Sequence, residues 1–355
     1  MSSTPGPAPA ALTGRADGGG VGQDPRLELV TIAASTAPLP ERAQLLLEAL
    51  RRVVPYDGAW MALADPLGSG YTSLASADLD APTLEFLGGP VMARDIEVTG
   101  VDRDRPPLSP SDLPYPAKEL PMWAHCLIPA GYHEALAVAL FEPGGRHVGF
   151  LALLSGSRIP PTPAVRRRLD RLTPVLAHGV DPMRSLLSAA RLVRGATAAA
   201  VLYADGSTRP LPGLRDDDVL APGSPVLAAA RARVRAGLVC TSFLWPRGGR
   251  HAPDGHTRVT VLAAPDDVPP AMTAVVLLSP AGDLRGLTPR ELEVLGLLVD
   301  GHSNAVIARI LVVARRTVAA HLEHILGKLD APTRTLAAVR AERDGLYVPL
   351  PPSAG

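Results

Sequence analysis

The chain has 355 residues, 35 Lys+Arg against 35 Asp+Glu and a hydrophobic fraction of 46%. That length predicts two or three domains with sizeable cores and excludes a disordered chain. Zero net charge excludes a polybasic protein that coats nucleic acid along its whole length, though not one small basic module. Aromatics are only 4%, which disfavours a stacking platform for single-stranded nucleic acid. The two distant cysteines, Cys126 and Cys240, make neither a disulfide framework nor a four-thiolate zinc site. Lys118 and Lys328 are the only lysines, and the wealth of Arg, Ala, Pro and Gly reads as the codon bias of a GC-rich genome. No apolar run approaches the ~20 residues that a membrane span needs. The N-terminus lacks a charged segment followed by an apolar one, so no signal peptide is expected. A reducing cytoplasm is the expected compartment.

Residues 1–25 hold ten Pro or Gly and read as a disordered tail. Order is expected from about Leu27. A helix is predicted over 41–54, with Leu46, Leu50, Val53 and Val54 on one stripe. Short strands follow over 59–64 and 71–75, joined by a Gly-rich turn. The Pro-rich stretch 91–129 is read as a long loop with one short helix. Two strands, 136–142 and 147–154, form a hairpin around Pro143-Gly144-Gly145. Thr162-Pro163 is an N-cap/N1 pair for a helix whose Val165, Leu169, Leu172 and Leu176 share a face.

The segment ALAVALFEPGGRHVGFLALLSGSRIPPTPAVRRRLDRLTPVLAHGV resembles the end of a GAF domain, and residues 26–182 are read as a GAF-like sensory domain. Residues 183–280 read as a second α+β module, either PAS-like or a second GAF-like lobe. It has a helix carrying Leu186, Leu187, Ala190 and Val193, a strand over 198–203, and a helix opened by Ser224-Pro225. Strands over 238–245, 258–263 and 273–278 complete it. Cys240, inside one of them, is expected to be a buried small apolar residue. Residues 281–286 read as a linker.

The strongest signals lie in 287–350. Thr288-x-x-Glu291 is a capping box with Pro289 at the first helical position, and Leu287 with Leu292 forms a hydrophobic staple. Ser303 caps a second helix with Val306, Ile307, Ile310 and Leu311 inward. A break at Val312-Val313 precedes a third helix, with Val318, Leu322, Ile325 and Leu329 inward. Thr333 opens a fourth. Two helices joined by a tight turn and flanked by two more describe a helix-turn-helix module. LTPRE, EVL, the G-x-S-N turn, Ile307-Ala308, TV-x-x-H, I-L-x-K-L and T-R-T-x-A occur here in order. The stretch resembles the LuxR-type (GerE-like) DNA-binding domain almost end to end.

The whole chain is therefore expected to be a multidomain α+β protein. Two antiparallel-sheet sensory modules precede an all-α four-helix LuxR-type domain. The resemblance implies a bacterial, non-enzymatic, one-component transcription regulator, cytoplasmic and nucleoid-associated. It would bind double-stranded operator DNA as a homodimer through its last helix, with RNA polymerase as a further partner. A small molecule or a protein would supply the signal, and no cofactor or metal is expected.

Arg315, Arg316, Thr317 and His321 cluster near the start of the third helix, where arginines oppose the helix dipole and are better explained as phosphate contacts. Lys328 and Arg334 would hold the backbone at the far end, and Asn304 would donate to a phosphate. Ala319, Ala320 and Glu323 would face the groove. Alanine there can touch only a thymine methyl, whereas Glu323 can accept from a cytosine amine. Over 286–350 eight basic residues face seven acidic ones, a net of +1, so placement and dimerisation must supply the affinity.

Three positions depart from the family. Ser or Thr usually stands at Ala314, polar readers at Ala319 and Ala320, and often lysine at Ala305. These support an alternative, an interaction or dimerisation protein whose degenerate helix-turn-helix recruits another regulator. In the sensory region Trp60, Met61, Trp123 and Tyr132 are the candidate ligand-binding residues. His125, Cys126, His133 and His147 match no metal spacing, and no phosphate loop or nucleophile elbow occurs. Asp216-Asp217-Asp218 and Asp266-Asp267 read as solvated loops.

Overall fold

The stripe predicted around Leu46 and Leu50 forms, and it is one of three helical stripes that pack on a single sheet. The computed structural model describes residues 24–66, 68, 70–193, 195–249, 252–264 and 271–350. Most of the expected tail, and the expected loop at Asp266-Asp267, lie outside them. The chain divides into two compact units, one up to Pro182 and one from Met183 onward.

In the first unit Asp24 caps α1 (Pro25–Ala34). Then come α2 (Leu39–Arg51), β1 (Gly58–Ala64), β2 (Tyr71–Ala77), α3 (Ala81–Leu87), α4 (Pro90–Thr99), β3 (Glu134–Phe141), β4 (His147–Ser155) and α5 (Pro163–Val180). The sheet is antiparallel in the order β2-β1-β4-β3. Successive side chains of a strand point to opposite faces, so β1 feeds two cores. Ala59, Met61 and Leu63 join α1, α2 and α5 in one. Trp60 and Ala62 join the insert between β2 and β3 in the other.

That insert is more ordered than its proline content suggested. Over 91–129 the expected short helix is α4 and the expected long loop follows it, while α3 before them was not anticipated. Asp80 caps α3 through Thr83 N, and Pro82 and Pro90 sit in the first turns of α3 and α4. There a missing N–H costs nothing. Short 3-10 turns and one π turn, Trp123–Leu127, complete the cover.

The second unit begins with α6 (Pro182–Leu192), β5 (Ala198–Tyr203), β6 (Thr208–Pro210), α7 (Pro225–Arg235), β7 (Cys240–Pro246), β8 (His256–Ala263) and β9 (Met272–Pro280). These strands make an antiparallel sheet in the order β6-β5-β9-β8-β7. Cys240, expected to be buried, is exposed, because β7 is an edge strand and its first residues run past the cover. The chain then forms α8 (Pro289–Val299), α9 (Asn304–Leu311), α10 (Arg315–Lys328) and α11 (Arg334–Asp344).

The sheet and these four helices share one continuous apolar core, running from Phe243, Val259 and Val276 to Leu292, Ile307, Leu322 and Ala337. A strap after α11 closes the joint. The Leu244 N–H donates to the Tyr347 carbonyl (2.8 Å), and the Val348 N–H donates to the Leu292 carbonyl (3.1 Å). Arg258 on β8 donates to the carbonyls of Asp344 (2.8 Å), Gly345 (3.4 Å) and Ala281 (3.0 Å). It thereby satisfies acceptors at the end of α11 that the helix itself leaves open. The strap passes so close to α8 that a Cβ on Gly296 would overlap the Val348 carbonyl oxygen. Among the described residues, no helix is long and apolar enough to cross a membrane.

Candidate nucleic-acid interface

The four helices after Gly286 are held by local chemistry first. Thr288 Oγ1 accepts from Glu291 N (3.3 Å), and Glu291 Oε2 accepts from Thr288 N (2.8 Å), the reciprocal box read from the sequence. Ser303 caps α9 through Val306 N at 3.4 Å. Arg290 donates to the Leu311 carbonyl at the far end of α9 (2.7 Å). Val312 then turns the chain at φ 54°, a left-handed conformation that is unfavourable for a β-branched residue. Its side chain points into solvent, 88% exposed, so the turn geometry alone sets this conformation. At the start of α10, Ala314 has cap geometry but no side-chain cap bond.

On α10 the inward stripe is Val318, Leu322 and Ile325. Arg315, Arg316, Ala319, Ala320 and Glu323 are exposed, and Thr317 and His321 flank them half-buried. Spacings of one, three, one and three residues put those five on one outward face. The structure therefore assembles most of the expected DNA-contacting residues in one place. Among the described residues Arg315 and Arg316 make no ion pair or hydrogen bond. The N–H groups of Arg315 and Arg316 stand outside the helix ladder, which begins with Thr317 N to Ala314 O at 3.0 Å. Two guanidinium groups beside open N–H donors at a helix start form a locus for an anion.

Two of the expected backbone contacts are differently engaged. Lys328 Nζ donates to Glu291 Oε2 at 2.7 Å, tying α10 to α8. Burial works against ionisation of Glu291. The Lys328 ammonium and the N–H and hydroxyl of Thr288 override it and hold the carboxyl below its ordinary value. Arg334 donates to the His302 carbonyl (2.8 Å) and to Asn304 Oδ1 (3.2 Å), bracing α11 against the start of α9. Because that bond fixes the amide oxygen inward, the Asn304 NH₂ is left as a donor to the outside. The role of Lys328 was not legible in sequence, although its partner Glu291 was already marked by the capping box.

The four candidates of the sensory region separate. Trp60 and Trp123 share the core on the insert side of the first sheet, and Tyr132 packs at its margin. Trp60 Nε1 donates to Ser73 Oγ at 2.8 Å, and the Tyr132 hydroxyl donates to the Asp78 carbonyl at 3.1 Å. Met61 lies on the opposite face, which corrects its grouping with Trp60, since neighbours on a strand cannot share a face. Trp123 borders a cavity of the first unit that the other three do not line. Among the described residues no three His, Cys, Asp or Glu side chains cluster as a metal site would require. His147 is instead stacked on Phe141, 4.9 Å between ring centres.

Residues 285–341 match the model of a family described as "Bacterial regulatory proteins, luxR family". The same region is 47% identical over 60 residues to the transcriptional regulatory protein LiaR of Bacillus subtilis, 17% of this chain and 28% of that protein. It is 37% identical over 65 residues to the nitrate/nitrite response regulator protein NarL of Escherichia coli, 18% of this chain and 30% of that protein. The chain thus spans under a third of the length of these relatives. Among solved structures, Escherichia coli SdiA is similar at 15% identity and a TM-score of 0.34, covering 91% of this chain and 98% of that one. The GAF domain of an Acinetobacter phosphoenolpyruvate-protein phosphotransferase is similar at 15% identity and a TM-score of 0.32, covering 48% of this chain and 93% of that one. The C-terminal helices are a luxR-family helix-turn-helix domain.

Proposed function

We propose that this chain is a one-component transcription regulator. It binds double-stranded operator DNA through the outward face of α10 and responds to a small molecule held in its first unit. The observation that carries the reading is the pair Arg315 and Arg316, exposed and unpartnered among the described residues at the start of a helix with a stiff, capped support. They take phosphates, Ala319 and Ala320 lie against base edges, and Glu323 accepts from cytosine. Asn304 adds a phosphate donor. Two protomers, meeting along the open side of α11 where Val339 is 54% exposed, place two such faces on successive half-sites. Ligand binding would shift that geometry, and RNA polymerase would read the result in the bacterial cytoplasm.

The test uses the full chain, because Leu346 and Tyr347 of the strap belong to the shared core and a fragment lacking the sheet would expose them. Genomic fragments retained by the protein are identified, and binding to the recovered duplexes is titrated at several salt concentrations. The expectation is steep salt dependence. Arg315→Ala with Arg316→Ala weakens binding by about a hundredfold or more, at ~1.5–3 kcal/mol per charged hydrogen bond. It also lowers the salt slope by about 0.9 per lost phosphate contact. Salt-insensitive binding, or a double variant that binds as before, overturns the reading.

The three alanines favour a second reading, in which the domain dimerises and recruits another regulator without reading DNA. Ala319→Lys with Ala320→Lys separates the two. If neither form binds DNA and both dimerise, the second reading stands.

A further inference from the structure

The first unit has a partly open cavity of 80 Å³ between one face of its sheet and the insert that covers it. Met92 from α4, Trp123 from the π turn, and Ala137, Phe150 and Leu154 from the sheet make its wall almost entirely hydrocarbon. Three polar side chains border it. Thr99 Oγ1 donates to the carbonyls of Asp95 (2.8 Å) and Ile96 (3.0 Å). Ser109 Oγ donates to Glu134 Oε2 (2.6 Å). Asp95 is different. The residue is only 7% exposed, its Oδ2 accepts from Met122 N at 2.7 Å, and its Oδ1 has no partner among the described residues.

A carboxyl on the inward stripe of α4 is expensive to bury, and a leucine there would close the same space at no such cost. Burial pushes this carboxyl upward, against the Met122 N–H and the Arg94 charge that favour its ionised form. The group is held in place by one oxygen, at the cavity wall, and its other oxygen has no partner among the described residues. Such a lone, positioned acceptor in an apolar hole is the pattern of a small-molecule site.

We propose that this cavity takes a compact, mainly apolar molecule with one hydrogen-bond-donating end, an alcohol or a primary amine, that donates to Asp95 Oδ1. Size limits the class. A cavity of about 150 Å³ holds benzene, so 80 Å³ encloses about three heavy atoms, and its open mouth leaves room for about one or two more. So few atoms bind in roughly the millimolar range. The inference rests on the reading that the first unit senses a small molecule, and its test is made without DNA so that the two fail separately.

The probes are 1-butanol, butylamine and butyrate, titrated into the full chain. Tryptophan emission is the readout, since Trp123 forms part of the wall, with ligand-observed NMR as the second. Butanol and butylamine saturate, and butyrate binds about tenfold more weakly or not at all, because its carboxylate meets Asp95. Asp95→Asn reverses the order. The Met122 N–H keeps the amide oxygen where Oδ2 was, the NH₂ enters the cavity, butylamine weakens about tenfold and butyrate gains about tenfold. A gain of that kind cannot come from a damaged fold. Ala137→Leu fills the hole and weakens all three probes. No saturable signal from any probe, butyrate equal to butylamine in the parent chain, or an unchanged order in Asp95→Asn each overturns the proposal. Butanol that binds but leaves DNA affinity unchanged upholds the cavity and counts against the modulation reading alone.

Discussion

The two ends of the helix-turn-helix domain are built on opposite terms. At the outward face of α10 the cations stand apart, with Arg315 and Arg316 unpaired among the described residues. At the base, where α11 and the strap meet β7 and β8, the charged groups are bound into the joint. Arg258 holds three carbonyls, and Arg285 and Arg343 pair with Asp344. Arg233 stacks over Phe243 and Tyr347, 4.7 and 5.7 Å from the ring centres. The same residue type is structural at one end and available at the other. A count of charges cannot tell the two apart, since the domain sums to +1 either way. Lys328 is likewise bound, to Glu291 of α8, although its position in the sequence suggested the face.

The largest effect expected from breaking this contrast is at the base. Gly296→Ala would drive the strap off α8, because its new Cβ overlaps the Val348 carbonyl oxygen. Overpacking against backbone of this kind costs about 3 kcal/mol, far above the ~1 kcal/mol that alanine ordinarily gains over glycine in a helix. Urea unfolding of the full chain measures it. A smaller loss follows from Lys328→Met, about 2 kcal/mol at pH 7, because the buried Glu291 carboxylate then keeps Thr288 and, 3.8 Å away, the His324 ring. The folded pKa of Glu291 lies below its ordinary 4.5. The pair's contribution is thus complete above that value and is lost as pH falls through the depressed folded one. Stability of parent and variant should therefore converge below pH 4.5, and the salt slope of DNA binding should not move. The smallest effect sharpens the face. Ala314→Ser supplies the missing cap of α10 and should raise stability by about 1 kcal/mol, with DNA affinity unchanged or improved. Destabilisation by Ala314→Ser would mean that the start of α10 is not the helix start described.

Legibility in the sequence followed the range of the interactions. Thr288, Glu291, Ser303 and Thr333 act within three residues of themselves, and each was readable with its role. In the insert α3 was missed, although its signs are just as local: Asp80 three residues before Thr83 is a cap, and a proline in the first turn, here Pro82, starts a helix. Asp95 escaped because an acid within an apolar stripe looks like a surface residue until the insert is seen to fold over the sheet. Trp60 and Met61 were grouped by type, while strand alternation already placed them on opposite faces.

The sequence by itself determined the helix-turn-helix domain and its family, because caps, staple and stripe are short-range and the motif order is specific. It also determined the two antiparallel sheets, from alternation and turn residues. Only the tertiary structure decided which charges are free. A salt bridge such as Lys328 to Glu291 joins residues 37 apart, and Arg258 reaches carbonyls more than 80 residues away. Such partners are fixed by how helices and strands pack, not by any local pattern. The same holds for the strap, which reads as a polar-ended tail until Tyr347 is found packed against Phe243 and Arg233.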